Sequence, residues 1–115
     1  MFKLYCPDIN GAFRFHNVGQ RLFYSGILNN QKCGTFSFVY DCGTVSPLSF
    51  IRRKIDDFKL LLPAGRKDGN KRIDLLVISH LHDDHVSGLA ELLDGVEIDT
   101  VVMPYMHEKL RLMFF

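Results

Sequence analysis

Residues Ile73–Ser79 read IDLLVIS, an almost unbroken apolar run. A strand with one face in water alternates apolar and polar residues, whereas a run of this kind is the pattern of a strand covered on both faces. Such a strand needs neighbours beside it and helices against it, and the flanking sequence offers both. Phe13–Val18 alternates apolar with polar residues, Leu22–Leu28 is extended and aromatic-rich, and Thr35–Tyr40 is rich in β-branched and aromatic residues. The polar cluster Asn29–Lys32 reads as the turn between the second and third of these. Two hairpin-connected antiparallel strands followed by a third are the economical reading.

After Ser46-Pro47 the period changes. Leu48, Ile51, Ile55 and Phe58 recur at helical spacing, and Arg52, Arg53, Lys54, Asp56, Asp57 and Lys59 fill the other face. The pattern predicts a helix from Leu48 to about Leu61, with Ser46 as N-cap and Pro63 past its end. Val86–Leu93 reads as a short helix with Asp94-Gly95 as its exit turn, and Ile98–Met103 as a last strand. Strands first, then helix, strand, helix and strand, predict an α+β fold: a mixed sheet with helices packed on it.

With 115 residues the chain has room for one domain, 1–115, and for one core. The formal charge of +1 leaves no broad basic footprint, so nucleic acid is compatible with the chain but not indicated by its charge. Arg52-Arg53-Lys54 reads as a solvated helix face. Ten Phe and four Tyr exclude disorder, and no apolar run approaches the roughly 20 residues of a membrane helix. Cys6, Cys33 and Cys42 form no metal-ligand pair and leave one over from any disulfide. They read as free thiols; with no signal segment at the N-terminus, the expected location is cytoplasmic.

The apolar strand runs into His80-Leu81-His82-Asp83-Asp84-His85, which gathers three of the five histidines within six residues. On an extended segment residues i and i+2 share a face, so His80 and His82 can grip one ion together; on a helix they would point apart. Asp84 and His85 fall where the chain turns into the next helix and can point away from that pair. Imidazole and carboxylate are ligands that zinc, manganese and iron accept, and the carboxyl edge of a sheet is where open α/β folds place ligands. Asp83 reads as an N-cap or solvated acid. His16 reads as a satisfied histidine of a strand, and His107 lies just past Pro104.

Ser79-His80-Leu81-His82-Asp83-Asp84-His85, followed by Val86-Ser87-Gly88-Leu89, resembles the second motif of the metallo-β-lactamase superfamily. Val18-Gly19-Gln20 and Tyr40-Asp41-Cys42-Gly43 are similar to the opening of these domains, and the ordering is particularly like the hydrolase domain of competence-type DNA-uptake proteins. Arg21 departs from that subgroup, which usually has glycine there. The resemblance covers about Phe13 to Pro104. It implies an αββα sandwich, of which this chain would be the N-terminal half, and hydrolysis of ester, thioester, amide or phosphodiester bonds.

Carried over, His80 and His82 would ligate the first metal and Asp84 and His85 the second. Asp84 would also orient the attacking water. Asp41 would buttress the ligand loop, although an Asx-turn that caps its own backbone accounts for it as well. Two zinc ions are expected in a complete domain, with an ester or phosphodiester as substrate. A catalytic zinc takes about three protein ligands and keeps a position open, and here each ion finds two. The alternative expectation is therefore an inactive fragment that binds metal weakly, self-associates, or pairs with a complementary C-terminal half.

Overall fold

The computed structural model describes residues 8–18, 22–44, 46–80 and 87–104. Five strands form one mixed sheet in the order of the chain: β1 (Asn10–Phe15), β2 (Phe23–Asn30), β3 (Gly34–Cys42), β4 (Lys71–Val77) and β5 (Val96–Val102). The first three are antiparallel neighbours, while β4 runs parallel to β3 and β5 parallel to β4. Parallel neighbours require crossovers, and α1 (Leu48–Lys59) and α2 (Leu89–Leu93) supply them. Two successive crossovers of the same hand, advancing in the same direction, lay both helices on one face of the sheet. Their contacts agree: Arg52 pairs with Glu91 at 3.0 Å, and Lys59 Nζ donates to the carbonyls of Glu91 and Asp94.

The α+β expectation holds, with shifts at the edges. The first strand begins at Asn10 rather than Phe13, because pairing with Leu28 and Asn29 extends the hairpin toward its N-terminus. The β2–β3 turn lies over Gln31–Cys33: Asn30 Oδ1 accepts the N–H groups of Lys32 and Cys33, both at 2.8 Å, and Gly34 takes φ 89. Ser46 is not the helix cap. Its N–H donates to Thr44 Oγ1 at 2.9 Å, and Pro47 occupies the cap position with no side-chain capping bond.

Ile51, Ile55 and Phe58 of α1 are buried as the spacing predicts, but Leu48 overhangs the first turn and is exposed. They meet Phe23, Val39, Cys42 and Leu76 in the core. Of the cysteines, Cys42 is buried and free, and burial with Asp41 beside it pushes its thiol pKa far up. Cys33 is disulfide-bonded, which overturns the reading of three free thiols; its place at the exposed turn keeps it out of the core. Among the described residues no helix is long and apolar enough to cross a membrane.

The register carries two rows of side chains across the face away from this core. Phe13, Gly26, Phe38, Leu75 and Thr100 form one; Phe15, Tyr24, Tyr40, Val77 and Val102 form the next. Phe38 lies across Gly26, where an added Cβ would come within 2.2 Å of its ring. Phe15 stacks on Tyr24 at 4.4 Å, and Tyr24 meets Phe38 edge-on at 5.7 Å.

Candidate metal site

Because β3 and β4 are parallel, their C-terminal ends reach the same edge of the sheet. Asp41 stands at the end of the first and Ser79-His80 just past the end of the second. A register shift between Phe23 and Tyr24 leaves Asp41 as the extra residue of a bulge, with φ 60, a conformation that Asp adopts more readily than most residues. The bulge turns its carboxylate into the protein, where it is fully buried.

A buried carboxylate needs hydrogen bonds, and Ser79 gives two. Asp41 Oδ1 accepts the Ser79 N–H at 2.7 Å, and Oδ2 accepts the Ser79 hydroxyl. His80 Nδ1 lies 3.1 Å from the same Ser79 Oγ. With the Ser79 hydroxyl donating to Asp41 Oδ2, its Oγ presents lone pairs to His80. In that arrangement Nδ1 carries the imidazole proton, and Nε2 becomes the lone-pair nitrogen, the one able to ligate. The His80 side chain is exposed at the sheet edge.

The far end of the motif is held by the same corner. Ser87 Oγ donates to the Thr44 carbonyl at 3.1 Å and accepts the Thr44 N–H at 3.0 Å, and the Gly88 N–H donates to the Cys42 carbonyl at 2.9 Å. A Cβ on Gly88 would meet Cys42 Sγ at 2.9 Å and Ile51 Cδ1 at 3.0 Å, so only glycine brings α2 this close. Thr44 is anchored in turn, its hydroxyl donating to the Val18 carbonyl. Ser79 and Gly88 thus bracket the histidine cluster, and Asp41–Thr44 secures both ends.

His82, Asp83, Asp84, His85 and His107 lie outside the described residues. Among the described residues no three His, Cys, Asp or Glu side chains converge as a metal cluster. His16 is a core histidine: its ring stacks on Phe23 at 4.0 Å, meets Phe58 edge-on at 5.4 Å, and its Nε2 bonds Ser25 Oγ at 2.7 Å. Burial lowers its pKa to about 4, helped by the positive charges of Arg14 and Lys54. Arg52 is paired with Glu91 on the solvated side of α1.

Thr44, Ser79, Ser87 and Gly88 had no assigned role in the sequence. Short polar residues and glycine occur in any loop; Ser79, Ser87 and Gly88 are marked only by their position flanking the histidine cluster, and Thr44 by no signal in the sequence. A family model described as the metallo-β-lactamase superfamily matches residues 34–108, from the start of β3 to beyond β5. No curated protein and no solved structure matches the chain.

Proposed function

The chain belongs to the metallo-β-lactamase superfamily, and from that premise we propose that it serves metal-dependent hydrolysis, with an activated water attacking an ester or phosphodiester. The observation behind this reading is the Asp41–Ser79–His80 chain of hydrogen bonds at the carboxyl edge of the sheet. A ligating histidine usually gives its other N–H to an oxygen that fixes the ring and raises its basicity. Ser79 offers that oxygen and is itself held by a buried carboxylate.

His80 and His82 are the residues assigned to a first ion, and Asp84 and His85 to a second, with Asp84 orienting the water. Imidazole and carboxylate donors suit zinc, and manganese or iron share the preference. The chemistry that zinc supplies when bound is Lewis-acid polarisation of a phosphoryl or carbonyl oxygen and a water made nucleophilic at neutral pH. The protein's part is to hold the imidazoles in one tautomer and to keep the loop's two ends at a fixed separation.

Two donors per ion fall short of the about three that catalytic zinc takes, so turnover needs ligands beyond these four. Zinc titration of the dialysed chain, followed by calorimetry, is expected to give at most one weakly held ion. His80→Ala with His82→Ala should abolish it. Two tightly held ions in the wild type, or binding unchanged in the double variant, would contradict the assignment. Hydrolysis of bis-p-nitrophenyl phosphate and p-nitrophenyl acetate by the lone chain should stay at background. Chelator-sensitive turnover that vanishes in Asp84→Ala would support hydrolysis while refuting the ligand count.

A further inference from the structure

The chain holds three cysteines, of which Cys33 is disulfide-bonded and Cys42 is a buried free thiol. The third is Cys6. Asn30, buried just before the β2–β3 turn, donates from Nδ2 to the Asp8 carbonyl at 3.1 Å, while its Oδ1 accepts the Cys33 N–H at 2.8 Å. One side chain thus holds Asp8 and Cys33 close together. Cys6 precedes Asp8 by two residues, a reach of at most about 7 Å, and a disulfide joins Cα atoms about 4–7 Å apart. The strand that follows is lightly held. β1 ends the sheet's order, pairs with β2 alone among the described residues, and is exposed along all 6 residues. Its far end is secured: the His16 N–H donates to the Phe23 carbonyl at 2.8 Å, and Val18 is buried with its carbonyl accepting the Thr44 hydroxyl.

We propose that Cys33 is joined to Cys6, and that this bond is a reducible latch keeping the N-terminal end of β1 on the sheet. Cys33 is exposed at its turn, and an exposed disulfide is open to attack by an external thiolate. A dithiol opens it in two exchanges. One thiolate of the reductant attacks Cys33 Sγ, the S–S bond breaks, and Cys6 leaves as a thiolate that takes up a proton. The reductant's second thiol then displaces Cys33, which leaves as a thiol. The protein disulfide has gained two electrons and two protons, and the dithiol has become its own disulfide. Cys42 takes no part, because burial in the core keeps its sulfur from exchange and its thiol protonated. With the bond open, β1 retains its anchors at His16 and Val18 but only exposed pairings ahead of them, so it frays from Asn10 toward Phe15. This inference does not rest on the metal reading.

Peptide mapping of the oxidised chain, alkylated in denaturant without reductant, should recover Cys6 cross-linked to Cys33 and Cys42 as the alkylated thiol. Amide hydrogen exchange then reads the latch. On addition of dithiothreitol, Asn10–Phe15 should exchange about 10–100-fold faster, a larger rise than in Gly34–Cys42 at the centre of the sheet. A chain carrying Cys6→Ser with Cys33→Ser should exchange like the reduced wild type, with or without reductant. Alkylation of all three cysteines, or a cross-link that includes Cys42 or a second chain, would overturn the pairing. Exchange in β1 that ignores the reductant, a rise spread evenly over the sheet, or a reductant effect that persists in the double variant would each overturn the latch.

Discussion

Asp41 and His16 take up different work in the fold. Asp41 sits at a bulge with φ 60, buried, its carboxylate bound to Ser79. His16 sits beyond β1 with its ring between Phe23 and Phe58 and its Nε2 on Ser25. The histidine has a pKa lowered to about 4 from an ordinary 6.5, so the folded protein holds it neutral while the unfolded chain would protonate it. For a base depressed in this way the unfolded state binds more protons, and stability falls as pH drops from about 6.5 toward about 4. The urea midpoint of the wild type should decline between about pH 7 and about pH 4.5 more steeply than that of His16→Phe, which keeps the ring stack without the titration. Parallel declines in the two proteins would remove His16 from the account.

Among the elements, β3 does most to position the site. Its end pairs with β2, holds Ser79 through Asp41, and receives Ser87 and Gly88 on Thr44 and Cys42. Gly88→Ala should therefore destabilise by about 1–3 kcal/mol, since the new methyl would meet the Cys42 carbonyl oxygen at 3.0 Å as well as the buried side-chain ends of Cys42 and Ile51. Thermal unfolding checks this: an unchanged melting temperature would mean that α2 is not seated on the corner. The type and chain order of the elements were legible because period 2, period 3.6 and the apolar run of β4 are properties of single segments, whereas the parallel pairing of β3, β4 and β5 is not. The start of α1 was misread for the opposite reason. Ser46 has the chemistry of a cap, but Thr44 Oγ1 binds its N–H and Pro47 takes the cap position, a tertiary detail that no local pattern contains. Leu48 likewise has the spacing of a core residue but sits exposed at the first residue of α1.

In the whole molecule, the helices cover one side of the sheet, with Phe23 and Phe58 in the core beneath them, while Phe13, Phe15, Tyr24, Phe36, Phe38 and Tyr40 gather on the other. The sequence showed ten Phe without showing where they gather, because two-residue alternation says that a strand has two faces and not which one the helices will cover. The candidate site was legible in part for a related reason. His80 could be read from its spacing with His82, but its orientation depends on Asp41, 39 positions earlier in the chain and brought near by the β3–β4 pairing. The central claim is that this long-range brace prepares His80 to ligate. Zinc affinity of Asp41→Asn against the wild type tests it most directly, since Asn tolerates the same φ but loses the charge and one acceptor oxygen. Ser79→Ala is measured beside it as a variant that keeps the carboxylate. Both should bind zinc about 10–100-fold more weakly than the wild type, with helix and strand content unchanged by circular dichroism. Wild-type zinc affinity in both variants would contradict the account.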